Sequence, residues 1–80
     1  MSLFDYACLR LAILGKEFQI KRYASSWCSE KCVSELWIGH YCYGCQESEG
    51  WLLARDPITW ALCGCKSHQE VDQWIDRMLL

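Results

Sequence analysis

No stretch of this chain is long and apolar enough to cross a bilayer. The longest apolar run near the start, residues 7–14, is broken by Arg10. It falls well short of the roughly 20 residues a spanning helix requires. The same region lacks the marks of a secretory leader. Asp5 stands where a positive segment belongs, and no small-residue cleavage site follows. Basic residues are not in excess: eight Lys and Arg face ten Asp and Glu, for a net charge of −2. A general affinity for nucleic acid or anionic membrane rests on such an excess and is not expected. There is no glycine-rich phosphate loop, internal repeat, linker or low-complexity tract. These absences set the expectation of a cytoplasmic, non-enzymatic protein in a reducing compartment, with its cysteines as thiols.

What is present is a hydrophobic core in a short chain. Eighty residues suffice for one globular domain, spanning 1–80. The apolar fraction is 52%, with five Trp, four Tyr and two Phe, which excludes disorder. A chain this short buries only about 60% of its unfolded surface, so a metal, a disulfide or a partner commonly assists.

Residues 3–14 read as a helix capped by Ser2 and ended at Gly15. It is apolar nearly all round, as expected of a central or partner-facing helix. Residues 16–23 alternate with strand period, Phe18 and Ile20 on one side. Residues 27–35 carry Cys28 and Cys32 without a clear period. Residues 36–43 read as a single strand, with Leu36, Ile38, His40 and Cys42 on one face and Trp37, Gly39, Tyr41 and Tyr43 on the other. A turn over 46–50, a strand over 51–55, a turn at Asp56-Pro57 and a returning strand over 58–63 follow. Ser67-His68-Gln69-Glu70 is a capping box, and Val71, Trp74, Ile75, Met78 and Leu79 form one helical stripe. The expected fold is therefore α+β: a small antiparallel sheet of three to four strands flanked by an N-terminal and a C-terminal helix.

Six of the seven cysteines come in close pairs. Cys42-x2-Cys45 and Cys63-x-Cys65 each end an expected strand, and neighbouring strands would bring four sulfurs together. Cys42, Cys45, Cys63 and Cys65 are thus the leading candidates for a structural zinc site. Cys28 and Cys32 with Cys42 and Cys45, or His68 in place of one thiolate, are alternative sets. Buried thiols packing as small hydrophobes explain the same residues, and disulfides are a third reading. Cys8 reads as core. Acidic residues follow Cys45, which disfavours an activated thiolate and hence a thiol oxidoreductase. Asp72 and Asp76 read as a solvated helix face.

Trp37, Tyr41 and Tyr43 share a face if residues 36–43 form one strand. Exposed aromatics mark recognition surfaces, so these three are candidate partner-binding residues. Lys21-Arg22-Tyr23, with Trp27, is the basic-aromatic cluster of the chain; it underlies the alternative of a zinc-containing nucleic-acid or transcription-complex module. The preferred expectation is an interaction or regulatory protein that docks on a larger protein, with a homodimer as a further option. Its size and acidity share the general style of phage and mobile-element accessory proteins, an analogy that no motif carries.

Overall fold

The computed structural model describes residues 1–22, 32–47 and 50–79, the side chains at 32 and 47 excepted. Among these residues the chain runs α1 (Leu3–Ile13), β1 (Gln19–Lys21), β2 (Cys32–Ile38), β3 (Tyr41–Glu47), β4 (Leu52–Arg55), β5 (Leu62–Cys65) and α2 (His68–Met78). The strands form one antiparallel meander in the order β1-β2-β3-β4-β5. The α+β class is as expected. The strand number is corrected from three or four to five.

The extra strand comes from residues 36–43, which form a hairpin and not one strand. Ile38 pairs with Tyr41 across the two-residue turn Gly39-His40. Gly39 takes φ 63°, a left-handed conformation that glycine adopts without steric cost. His40 therefore sits in the turn, exposed, and shares no strand face with Cys42. The register then shifts: Leu36 pairs with Gly44, but Trp37 pairs with Cys42. Tyr43 is the extra residue of a β-bulge, which re-aims the side chains beyond it. The returning strand is also shorter and later than expected. Residues 56–61 form a loop, and pairing resumes only at Leu62 opposite Arg55.

Both helices lie on one face of the sheet. Phe4, Ala7 and Leu11 of α1 meet Val71, Trp74 and Ile75 of α2 over Leu36, Leu52, Ala54 and Cys65. The helix ends follow from local chemistry. Ser2 accepts the Asp5 N–H at 3.0 Å and Ser67 accepts the Glu70 N–H at 3.2 Å, each satisfying an orphan donor. At the end of α1, Gly15 donates to Ala12 and Lys16 to Leu11, a Schellman closure around Gly15 at φ 73°. The expected all-round apolar character of α1 is only partly used. Leu9 and Ile13 remain exposed, and Cys8 is half-buried against the core.

Gly44 lies in mid-strand beneath α2. A Cβ there would stand 3.3 Å from the Leu53 carbonyl oxygen and 3.5 Å from the Trp74 ring. Its missing side chain lets Trp74 approach the sheet. Trp74 Nε1 then donates to the Arg55 carbonyl at 2.9 Å, tying α2 to the end of β4.

Candidate functional site

The register places the four leading cysteines apart. Cys63 and Cys65 pair with Ala54 and Leu52, so they face the helices. Cys45 pairs with Leu53 and with Glu35, on the opposite face, and Cys42 lies opposite Trp37. Strand β4 stands between β3 and β5. The condition behind the four-sulfur site, adjacent strands, is not met. No three His, Cys, Asp or Glu side chains converge as metal ligands among the described residues. Cys45 is buried and disulfide-bonded. The Cys42 thiol donates to the Gly44 carbonyl at 3.3 Å. Cys8, Cys63 and Cys65 are free thiols. Burial pushes the Cys8 thiol up to about 11 and the Cys65 thiol up to about 12, so both are protonated at neutral pH. The alternative set built on Cys28 and Cys32 lies outside the described residues and side chains, as do Tyr23 and Trp27.

The aromatic candidates divide as the hairpin dictates, Tyr41 on the face of Ile38 and Trp37 on the other. Trp37 shares a face with Glu35, to which its Nε1 donates at 3.5 Å, and the Lys21 ammonium lies 3.8 Å from the centre of its ring. Lys21 is thereby engaged within the chain. Tyr41 and Tyr43 gather instead around Trp60, with ring centres 5.2 and 5.7 Å away. Edge and tilted contacts of this kind are favourable for aromatic quadrupoles. Tyr41 is 56% exposed and Trp60 43%, and Ile58, two residues before Trp60 in the same loop, is 60% exposed.

The loop that carries Trp60 is densely hydrogen-bonded. Asp56 accepts the N–H groups of Ile58 at 2.8 Å and Thr59 at 3.0 Å. Its own N–H donates to the Ala61 carbonyl, while its carbonyl accepts the Trp60 N–H. The Ala61 N–H reaches the Thr59 hydroxyl at 3.3 Å. Arg77 of α2 anchors the whole turn through its ion pair with Asp56 at 2.7 Å. The Thr59 and Ile58 amides, with Arg77 adding to them, hold the Asp56 carboxyl below its ordinary range. Arg55 donates to the Trp60 carbonyl at 3.4 Å, its guanidinium 5.5 Å from the indole centre. Within this frame Trp60 has φ 63°. A bulky side chain seldom adopts that conformation.

A second polar cluster joins the helices. Tyr6 donates to Asp72 at 2.8 Å, Arg10 pairs with Asp72 at 3.3 Å, and His68 stacks on the Tyr6 ring at 4.3 Å. The hydrogen bond to Asp72 raises the Tyr6 pKa. Asp72 thus belongs to a helix-helix junction and not to a merely solvated face.

The sequence singles out Tyr41 and Tyr43 of this aromatic cluster. It does not single out Trp60, Arg55 or Asp56, because Ile58, Trp60 and Leu62 alternate like a strand. The one available signal was Asp56-Pro57, which marks a turn without saying how long the loop beyond it runs. Comparison with protein-family models, curated proteins and solved structures finds no match to this chain.

Proposed function

We propose that the protein is a small non-catalytic binding domain that docks on a larger protein through Tyr41, Ile58 and Trp60. The observation that supports this most is Trp60 itself. A large aromatic is held in a left-handed backbone conformation by a hydrogen-bonded loop, yet it leaves 43% of its surface exposed. Left-handed geometry costs about 1–2 kcal/mol for an L-residue. Strain of this kind persists where the surroundings over-determine it and clusters at binding sites. A pre-ordered aromatic loses little conformational entropy on association, which is why Trp, Tyr and Arg dominate binding energies.

Parallel affinity capture from the cells that make the protein, followed by dissociation constants for the purified partner, tests the proposal. Tyr41→Ala and Trp60→Ala are each expected to weaken binding by at least about 2 kcal/mol, roughly 30-fold. Leu9→Ser and Ile13→Ser, on exposed α1 positions, are expected to leave it unchanged. Equal affinity of all four variants would refute the assignment. A partner lost only with the α1 variants would move the interface to the helix.

A further inference from the structure

The two edges of the sheet are guarded differently. β1 has three residues and ends in Lys21, and a short strand with a charge discourages further pairing. β5 stands at the other edge, and its residues Leu62-Cys63-Gly64-Cys65 carry no charge, proline or bulge. Leu62, Cys63 and Gly64 are all exposed. Lys66, the first charge beyond them, is drawn onto the Trp51 ring at 4.0 Å.

The ladder shows which main-chain groups this edge offers. The Asp56 N–H donates to the Ala61 carbonyl at 2.8 Å, so residues 56 and 61 form a hydrogen-bonded pair. Antiparallel pairs alternate between bonded and non-bonded, and the register continues through Arg55↔Leu62, Ala54↔Cys63, Leu53↔Gly64 and Leu52↔Cys65. Cys63 and Cys65 therefore turn their N–H and C=O toward β4, while Leu62 and Gly64 turn theirs outward. The side chains alternate as well. Cys63 stands opposite core residue Ala54, on the helix side, at a cleft of about 180 Å³ whose lining includes Glu70, Gln73 and Arg77. Leu62 and Gly64 face away from the helices. Leu62 is 49% exposed there, and a Cβ at Gly64 would meet nothing nearer than Leu53 Cδ2 at 3.9 Å.

We propose that β5 receives an extended segment of the partner protein as an added strand. This rests on the docking surface proposed above and extends it, because the Trp60 loop runs directly into β5. Pairing begins at Leu62, and Arg55 opposite it donates to the Trp60 carbonyl. Main-chain hydrogen bonds to Leu62 and Gly64 supply affinity, and alternate side chains supply the choice of sequence. The segment that fits carries apolar residues beside Leu62 and Gly64. Between them it carries a polar residue, opposite Cys63, at the mouth of the polar cleft.

The test uses the intact chain, the partner purified by Trp60-dependent binding, and overlapping synthetic peptides that cover that partner's sequence. One peptide is expected to bind. Gly64→Pro should weaken both the peptide and the whole partner at least about tenfold. Proline removes the outward N–H of Gly64 and no bond to β4. Gly64→Ala keeps that N–H, adds a methyl at ordinary contact distance from Leu53, and should bind as the wild type does. Amide hydrogen exchange of the unaltered chain decides the matter if Gly64→Pro fails to fold. The Leu62 and Gly64 amides should exchange quickly in the free chain and slowly in the complex, with those of Cys63 and Cys65 slow in both. Trp60-dependent binding without protection at Leu62 and Gly64 would overturn strand addition and leave the aromatic docking surface standing. Protection of those two amides in the free chain, growing with its concentration, would overturn it by giving the edge to a second copy. Binding that neither Trp60→Ala nor Tyr41→Ala weakens would remove the docking surface and strand addition together.

Discussion

Trp60 joins strain and exposure in one residue. Asp56 accepts its N–H and Arg55 donates to its carbonyl, so φ 63° belongs to the hydrogen-bonded loop. Replacing it separates the two properties. Trp60→Gly removes the aromatic and relieves the left-handed penalty, whereas Trp60→Ala removes the aromatic and keeps it. Urea unfolding should find the Gly variant more stable than the Ala variant by about 1 kcal/mol. Equal midpoints would mean that the backbone is unstrained. Gly44 makes the opposite case, a glycine retained for space. Gly44→Ala forces a methyl toward the Leu53 carbonyl and the Trp74 ring, and should destabilise the fold by about 1–3 kcal/mol in the same assay.

At the scale of elements, α2 is the best-determined piece because its signals are local. Ser67 caps it, Glu70 reaches back to the Lys66 N–H at 3.3 Å, and Val71, Trp74 and Ile75 are buried in the expected stripe. Ser67→Ala should lower stability by about 1 kcal/mol, read from the thermal midpoint. Leu79 closes the sequence stripe but is exposed, since the helix ends at Met78. The β2–β3 hairpin was illegible for a simple reason. The alternation of residues 36–43 runs through Gly39 and His40 without a break, so nothing in the period marks the reversal there, although a two-residue turn pairs Ile38 with Tyr41 and inverts the face parity of the returning strand. Pairing across that turn sets Tyr41 on the face of Ile38 and so opposite Trp37; the bulge at Tyr43 shifts only the residues beyond it. The same blindness hid the Trp60 loop, whereas the expected strand at 51–55 is present as β4 and it is the strand order that sets it between the two cysteine pairs. Sequence reveals period and punctuation; it does not reveal which strands become neighbours.

At the scale of the molecule, the core is one layer of two helices over one sheet face, and it takes in thiols as well as hydrocarbon. Cys65 has a folded pKa raised to about 12 and Cys8 one raised to about 11. The unfolded chain therefore releases these protons first as pH rises. Their contribution is complete below the ordinary thiol pKa of about 8.5 and declines as pH climbs toward the folded values. Urea midpoints between pH 8 and 10.5 should fall with pH, and the fall should be shallower in Cys65→Ala. A parallel decline in that variant would assign the effect to other groups.

The aromatic pair of Tyr41 and Trp60, with exposed Ile58 in the same loop as Trp60, carries the functional claim. Photo-crosslinking in the protein's own cells tests it most directly, with a benzophenone amino acid placed at Ile58 so that Trp60 remains intact. One adduct of defined mass is expected from position 58, absent when Trp60→Ala or Tyr41→Ala is added, and absent from a probe at Ile13. An adduct from position 13 with none from position 58 would contradict the aromatic surface as the docking site.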